Sequence, residues 1–255
     1  MNSFHLHTLY QAKHIKSKNA FRKLLVFVMV FSLTACAELQ QVVNQMPQGG
    51  GLSQVEIASG LRQALDFGID KQVTKLTQTD GFFKNDLVKI LWPEEIQKVD
   101  KTLRDIGLSS LADEGLKMLN RAAEDAVKEA TPIFVNAVKE ITFTDAKTIL
   151  LGNDNAATAY LTSKTQTALY TKFHPVINNS FSKVGADKIW GNLISKYNAL
   201  PLTNDVNPDL TDYVTGEALK GVYTMIAVEE KNIRTKLSSR TTDLLKKVFA
   251  LQDKY

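Results

Sequence analysis

The sequence contains few of the residues from which catalytic and metal centres are commonly built. Cysteine occurs once, at Cys36, which excludes an intrachain disulfide and a cysteine zinc site. The chain has four histidines, three of them close to the N terminus: His5, His7 and His14. A catalytic triad or a histidine metal site in the remainder would have to include His174. Its place just before Pro175 favours an ordinary surface histidine near the end of a helix.

Residues that break secondary structure and motifs that bind nucleotides are scarce as well. Because the chain has only six prolines and thirteen glycines, long stretches run without a breaker, which favours helices. No repeat with a period of about 20–50 residues occurs, so no solenoid is indicated. The sequence has no G-x-G-x-x-G, Walker or G-x-S-x-G motif, and it predicts no cofactor.

The excess of positive charge belongs to the N-terminal segment. The whole chain has 31 basic and 27 acidic residues, a formal net charge of +4. Residues 1–35 contain no acidic residue and five basic ones: Lys13, Lys16, Lys18, Arg22 and Lys23. Without this segment, 26 basic residues remain against 27 acidic residues. The remainder therefore has no excess of positive charge for nucleic-acid binding.

Residues 1–35 have the parts of a secretory signal peptide. Residues 1–23 are polar and basic, and residues 24–35 form a short apolar run directly before Cys36. As a helix this run would be about 18 Å long, whereas the hydrocarbon core of a membrane is about 30 Å thick. The pattern therefore predicts a cleaved signal peptide and not a transmembrane helix.

The residues Leu33-Thr34-Ala35-Cys36 resemble the lipobox of bacterial lipoproteins. The resemblance implies a diacylglyceryl group on the Cys36 sulfur, cleavage before Cys36, and usually acylation of the new amino terminus. Two or three acyl chains anchor a protein stably, whereas one does not. In lipoproteins a residue other than Asp after the cysteine favours the outer membrane, and here it is Ala37. We therefore expect an anchor in the outer membrane, with the protein on its periplasmic face.

Residues 36–52 are predicted to be the lipid anchor and a flexible tether. They are rich in glutamine and end in Gly49-Gly50-Gly51-Leu52. A flexible chain of this length spans roughly 20–24 Å on average. The N-terminal lipid would thus hold the domain close to the membrane.

Residues 53–255 are predicted to form one all-α, bundle-like domain with about eight helices. Ser53 and Glu56 match a capping box at the first helix start. Apolar residues then recur at helical spacing: Ile57, Leu61, Leu65, Ile69, Val73 and Leu76.

Polar residues and prolines predict further helix boundaries. Thr144-Asp145 and then Asn153 or Asp154 are expected to cap two helices. Pro132 is expected to start or kink a helix, and Pro175 to interrupt one.

The most aromatic part of the chain is also the least helical. Residues 86–92 predict a short strand or an extended loop, and Pro93 then opens a helix. If Phe82, Phe83 and Trp92 are exposed together, they form a contact site for a protein or lipid partner. Otherwise they close one end of the helical core.

Acidic residues occur mostly as adjacent pairs, which are typical of solvated helix faces: Glu94-Glu95, Asp113-Glu114, Glu124-Asp125 and Glu229-Glu230. Neighbouring side chains on a helix diverge by about 100° and do not share a site. A carboxylate pair brought together by the fold, as in glycosidases, stays open as an alternative. Residues 152–155 offer oxygen ligands but lack the calcium-loop pattern, so a helix stop followed by an N-cap is predicted there.

Several blocks of the sequence follow one another in an order found in one family of bacterial envelope proteins. The blocks are Leu61–Leu65, Thr79–Asn85, Pro93–Val99, Leu119–Glu124, Pro132–Phe134, Asn155–Tyr160, Lys196–Pro201 and Arg240–Phe249. Their order resembles the domain-of-unknown-function 4197 family (DUF4197) over about residues 52–250. The resemblance implies no catalytic or binding residues. At Trp92, the family more typically has a smaller apolar residue.

These patterns favour a non-enzymatic, membrane-tethered helical domain that binds a protein or lipid partner at the cell envelope. Two alternatives stay open: an envelope hydrolase that uses carboxylates, and a purely structural envelope protein. The hydrolase requires two acids in one cleft with a raised pKa. The sequence predicts no metal site and does not indicate an oligomeric state.

Overall fold

The computed structural model describes residues 52–93, 97, 100–101, 104–107, 109–199 and 209–253. Within these ranges the chain forms eight continuous α-helices, one short 3-10 helix and no β-strand. This confirms the prediction of an all-α domain with about eight helices. Among the described residues, no helix combines the length and the hydropathy that crossing a membrane requires.

The eight α-helices are numbered in chain order, and short connections join those between Ser109 and Asn198. The first four are α1 (Gln54–Leu76), α2 (Ser109–Val127), α3 (Ala130–Lys139) and α4 (Phe143–Leu150). The next are α5 (Ala156–Ser182), α6 (Ala186–Asn198) and α7 (Leu210–Thr235), followed by the 3-10 helix Leu237–Ser239 and α8 (Asp243–Phe249). Residues 97, 100–101 and 104–105 are also helical, in the region where Pro93 predicts a helix.

Helix α7 is the central element of the described fold. It packs against α1, α2, α5 and α6, and more than one of its faces is buried. Helix α1 is antiparallel to it, because Gly68 lies against Glu229 whereas Phe82, beyond the C-terminal end of α1, lies against Gly221. The stripe predicted for α1 is its buried face, since every member from Leu61 to Leu76 is buried.

The two adjacent glutamates of α7 are buried, so the predicted solvated face is wrong for this pair. Glu229 accepts hydrogen bonds from Lys71 Nζ at 2.7 Å and from Gln72 Nε2 at 2.8 Å, both on α1. Glu230 instead faces α5. The side chains therefore diverge as neighbours on a helix should, and the pair does not share a site. Each carboxylate is buried because hydrogen-bond donors on a neighbouring helix compensate its lost hydration.

Glu230 supplies the N-terminal cap of α5, although it lies 73 residues further along the chain than Ala157. Its carboxylate accepts the N–H groups of Ala157 and Thr158, each at 2.8 Å, and the Thr158 hydroxyl at 2.7 Å. Arg234 pairs with the same carboxylate at 2.8 Å and also donates to the carbonyls of the last two residues of α4. One buried ion pair thus supplies hydrogen-bond partners to backbone N–H groups at the start of α5 and to backbone carbonyls at the end of α4.

Two predicted helix caps were placed at the wrong residue. Helix α4 begins after Thr142, which forms a capping box with Asp145, so Thr144 is not the cap. Helix α5 begins after Asn155, whose side chain makes no capping hydrogen bond, because Glu230 occupies that role. Several polar residues lie near each boundary in the sequence, and tertiary packing determines which of them caps the helix.

Pro175 does not interrupt a helix, contrary to the prediction. Helix α5 runs through it from Ala156 to Ser182. Apolar side chains at intervals of four residues are buried on both sides of it: Leu169, Phe173, Ile177 and Phe181. Pro175 itself is exposed. Burial of this stripe offsets the backbone hydrogen bond that the proline cannot make.

The C-terminal end of α7 is closed by Arg240, whose side chain is completely buried. Its guanidinium donates to the carbonyls of Ile233 at 3.0 Å and Arg234 at 2.8 Å. It also pairs with Asp253 at 2.6 Å. The hydrogen bonds from Arg240 lower the pKa of the Asp253 carboxyl below its usual range. A cation at this helix end is also favoured by the helix dipole.

The role of Glu230 leads to a stability prediction. Glu230→Ala removes the cap of α5 and leaves the buried Arg234 without its carboxylate, so we expect the free energy of unfolding to fall by about 3–5 kcal/mol. Glu217→Ala, in the same helix but in an exposed ion pair, should change it by less than about 0.5 kcal/mol. Urea denaturation measures both. Equal, small losses for the two variants would contradict the assigned role.

Candidate functional site

A sharp turn after α1 directs the chain into the core. Asp80 has a positive φ of 65°, which Asp tolerates better than most residues. The buried Glu124 of α2 accepts the N–H groups of Asp80 at 3.3 Å and Phe82 at 3.1 Å. The hydrogen bond from Lys84 lowers the pKa of Asp80 below its usual range. Glu124 is thus a third acid, after the two adjacent glutamates of α7, that is buried although a solvated position was predicted for it; its carboxylate holds the backbone of the turn in place.

Phe82 is completely buried and packs against α7 at a glycine. A Cβ atom on Gly221 would lie 2.7 Å from Phe82 Cε1 and 3.3 Å from Val88 Cβ. These distances are shorter than ordinary van der Waals contact, so α7 approaches this segment as closely as it does because residue 221 lacks a side chain.

The chain then passes along α7 in a non-helical segment, residues 89–93. The buried Asn120 of α2 holds its middle: Ile90 N–H donates to Asn120 Oδ1 at 2.8 Å, and Asn120 Nδ2 donates to the Ile90 carbonyl at 2.9 Å. Tyr213 of α7 donates its hydroxyl to the Leu91 carbonyl at 2.8 Å. Residues 86–92 form turns and a loop and not the alternative, a short strand. The side-chain amide of Asn120 makes the hydrogen bonds to Ile90 that a neighbouring strand would otherwise make.

A groove of about 480 Å³ opens between this segment and α7. One wall is mainly apolar and consists of Leu87, Val88, Lys89, Leu91, Trp92 and Pro93. The other wall consists of α7 residues that recur at helical spacing on one face, Tyr213, Glu217, Lys220 and Thr224, together with Gly221. The groove therefore has one apolar and one polar wall. Leu87 and Leu91, which are 64% and 52% exposed, lie at its apolar edge.

The three aromatic residues singled out in the sequence have different environments. Phe82 is in the core and cannot contact a partner, so the three do not form a joint exposed patch. Phe83 is partly exposed, and Lys89 Nζ lies 4.4 Å from its ring centroid. Trp92 lines the groove and stacks on Trp190 of α6, with ring centroids 6.0 Å apart and an interplanar angle of 13°. Trp92 is thus the one predicted contact residue that the structure brings to the groove.

The charges at the groove are two lysines and one glutamate. Lys220 Nζ lies 3.6 Å from a carboxylate oxygen of Glu217; the lysine is exposed and the glutamate partly exposed, and such a pair contributes little stability. Lys89 forms no ion pair with a described residue. The lining therefore has a small positive excess.

The other sequence candidates lie elsewhere. Cys36 is outside the described residues. His174 lies within α5, partly exposed, with its ring 5.5 Å from that of Tyr170. The Tyr170 hydroxyl donates to Asp212 at 2.6 Å, which raises the pKa of Tyr170 to about 12. Within the described ranges, no group of three or more His, Cys, Asp or Glu side chains is placed to hold a metal ion.

Sequence reasoning missed the residues that shape the groove: Asn120, Tyr213 and Gly221. Asn120 lies in a helical stretch, where an asparagine is normally predicted to be a surface residue. Tyr213 and Gly221 lie within the apolar pattern of α7. A glycine in the interior of a long helix was the one available signal, because it lowers helix stability and therefore often indicates close packing.

The sequence model of the family described as "Protein of unknown function (DUF4197)" matches residues 51–250. The chain therefore belongs to this family, and the groove lies within the matched region. Searches of curated proteins and of solved structures gave no match.

The contact at Gly221 can be tested by comparison with a second glycine of α7. Gly221→Ala should lower the free energy of unfolding by about 1–3 kcal/mol, because its methyl group overlaps the immobile ring of Phe82. Gly216→Ala should raise it by about 0.5–1 kcal/mol, because a Cβ there meets no atom within 4 Å and alanine favours the helix. Thermal or urea unfolding measures both. A stabilising Gly221→Ala would refute the close approach.

Proposed function

We propose that this chain is a lipid-anchored protein of the bacterial cell envelope that binds a protein partner through the groove and does not act as an enzyme. The lipid on Cys36 would hold the domain at the periplasmic face of the outer membrane. One observation carries the proposal: a groove of about 480 Å³ between an apolar and a polar wall. Short segments of partner proteins bind in grooves that offer apolar pockets and a few polar groups.

The charges of the groove favour a protein over membrane lipid as the partner. Anionic lipid headgroups are bound by clusters of lysine and arginine. The groove instead has two lysines, one of which pairs with Glu217.

The hydrolase alternative has less support at this site. Glu217 is the one acidic residue among those that line the groove, and Lys220 lies beside it. The buried carboxylates Glu124, Glu229 and Glu230 all accept hydrogen bonds that hold turns and helices together. The purely structural alternative is compatible with these contacts but gives no role to the groove.

The anchor is tested by comparing the wild-type chain with Cys36→Ser in a bacterium that has two membranes. We expect the wild type to gain the mass of acyl chains and to fractionate with the outer membrane. Cys36→Ser should show neither change, because it lacks the sulfur to which the lipid is attached. Intact-mass spectrometry and membrane fractionation measure these outcomes. A wild type that is soluble and unlipidated would refute the anchor and, with it, the proposed location.

A further inference from the structure

We propose that the groove binds an extended peptide segment whose main chain pairs with residues 89–91 as an added strand, and that this segment combines apolar with acidic side chains. The inference rests on the proposed function and names the chemistry of the partner. Strand addition of this kind supplies affinity through main-chain hydrogen bonds and specificity through side-chain pockets.

Asn120 determines the direction of the backbone groups on either side of Ile90. Asn120 binds both the N–H and the carbonyl of Ile90 from the core side. In a trans peptide unit the carbonyl and the N–H point in opposite directions, and no cis peptide bond occurs here. The Lys89 carbonyl and the Leu91 N–H must therefore point away from Asn120. Lys89 and Leu91 line the groove, whereas Ile90 does not.

These two groups are available to a partner, because no hydrogen bond within the described part of the chain uses the Lys89 carbonyl or the Leu91 N–H. Their neighbours are occupied, since Lys89 N–H donates to the Asn85 carbonyl at 2.8 Å and the Leu91 carbonyl accepts from Tyr213. One acceptor and one donor on either side of residue 90 are the groups that a parallel or antiparallel partner strand uses.

The pairing edge at residues 89–91 is held in place before any partner binds. Asn120 is completely buried, and its amide also donates to the Leu116 carbonyl at 2.7 Å. Trp92, next to Leu91, is fixed by its stack on Trp190. A peptide would therefore meet an ordered edge, so the protein itself would lose little conformational entropy on binding.

The side chains on the two walls define the chemistry of the peptide. Leu87, Leu91 and Trp92 offer apolar contacts to one face of an extended chain, whose side chains alternate between faces. Lys89, without an ion pair among the described residues, and the exposed Lys220 lie on either side of the groove. Their charge favours acidic residues, and Glu217 partly offsets it.

The composition of the chain's own tether does not fit this chemistry. Residues 37–52 contain one acidic residue, Glu38, and no alternation of apolar with acidic side chains. The peptide is therefore assigned to another molecule.

The test follows the fluorescence of the purified full chain, whose two tryptophans, Trp92 and Trp190, form the stacked pair at the groove. The probes are a synthetic peptide of alternating leucine and glutamate, its lysine counterpart, and a depsipeptide of the leucine–glutamate sequence. The depsipeptide keeps the side chains but has ester bonds, so it cannot donate main-chain hydrogen bonds. Vesicles of phosphatidylglycerol serve as the probe for an anionic lipid surface.

We expect a saturable fluorescence change with the leucine–glutamate peptide, and weaker binding of the lysine peptide. The depsipeptide should bind at least about fivefold more weakly, the effect of one lost hydrogen bond. Lys89→Glu and Lys220→Glu should each lower the affinity for the leucine–glutamate peptide. Lys231→Glu is the matched control, because Lys231 is exposed on α7 about 16 Å along the helix from Lys220, and it should leave the affinity unchanged.

The contrary outcomes separate this inference from the proposed function. Equal affinity of the depsipeptide would overturn strand addition and leave the groove as a peptide site. A preference for the lysine peptide would overturn the acidic partner. A response to vesicles but to none of the peptides would overturn both the inference and the protein partner. No response to any probe would overturn the inference, while the lipid anchor would still depend on Cys36 alone.

Discussion

The buried ion pair between Glu230 and Arg234 is the interaction on which the described fold most depends. It joins the end of α4, the start of α5 and the C-terminal part of α7 in one hydrogen-bonded cluster. The adjacent Glu229 ties α7 to α1. Isolated charges are costly to bury, so such groups persist only where donors and opposite charges surround them. Two neighbouring acids thus fix the central helix against three others.

The groove is a consequence of that fixed position. Because α7 cannot move away from α1 and α5, its polar face is held opposite the segment that follows the turn at Asp80. Glu124 fixes the turn and Asn120 fixes the segment, both from α2. Gly221 then sets how closely the two walls approach. The groove is therefore built by buried polar groups that are fully engaged, and such networks favour one defined structure.

Helix identity was largely predictable from the sequence, whereas the groove was not. Apolar spacing predicts α1 because burial of one stripe depends on local periodicity. The prediction failed where distant residues decide the outcome: Glu230 caps α5 from α7, and packing carries α5 through Pro175. Adjacent acids were predicted to be solvated because the residues that bind them lie on other elements, far away in the sequence. Trp92 was found from its aromatic neighbourhood, but Phe82 showed that this signal does not separate core from surface.

The most direct test of the account is amide hydrogen exchange at residues 90 and 91, with and without the leucine–glutamate peptide. Ile90 N–H is already bonded to the buried Asn120, so its exchange should be slow in both states. Leu91 N–H should exchange readily in the free protein and become protected when the peptide binds. Unchanged exchange of Leu91 in the peptide-bound protein would contradict main-chain pairing in the groove. Rapid exchange of Ile90 in the free protein would contradict the preformed edge.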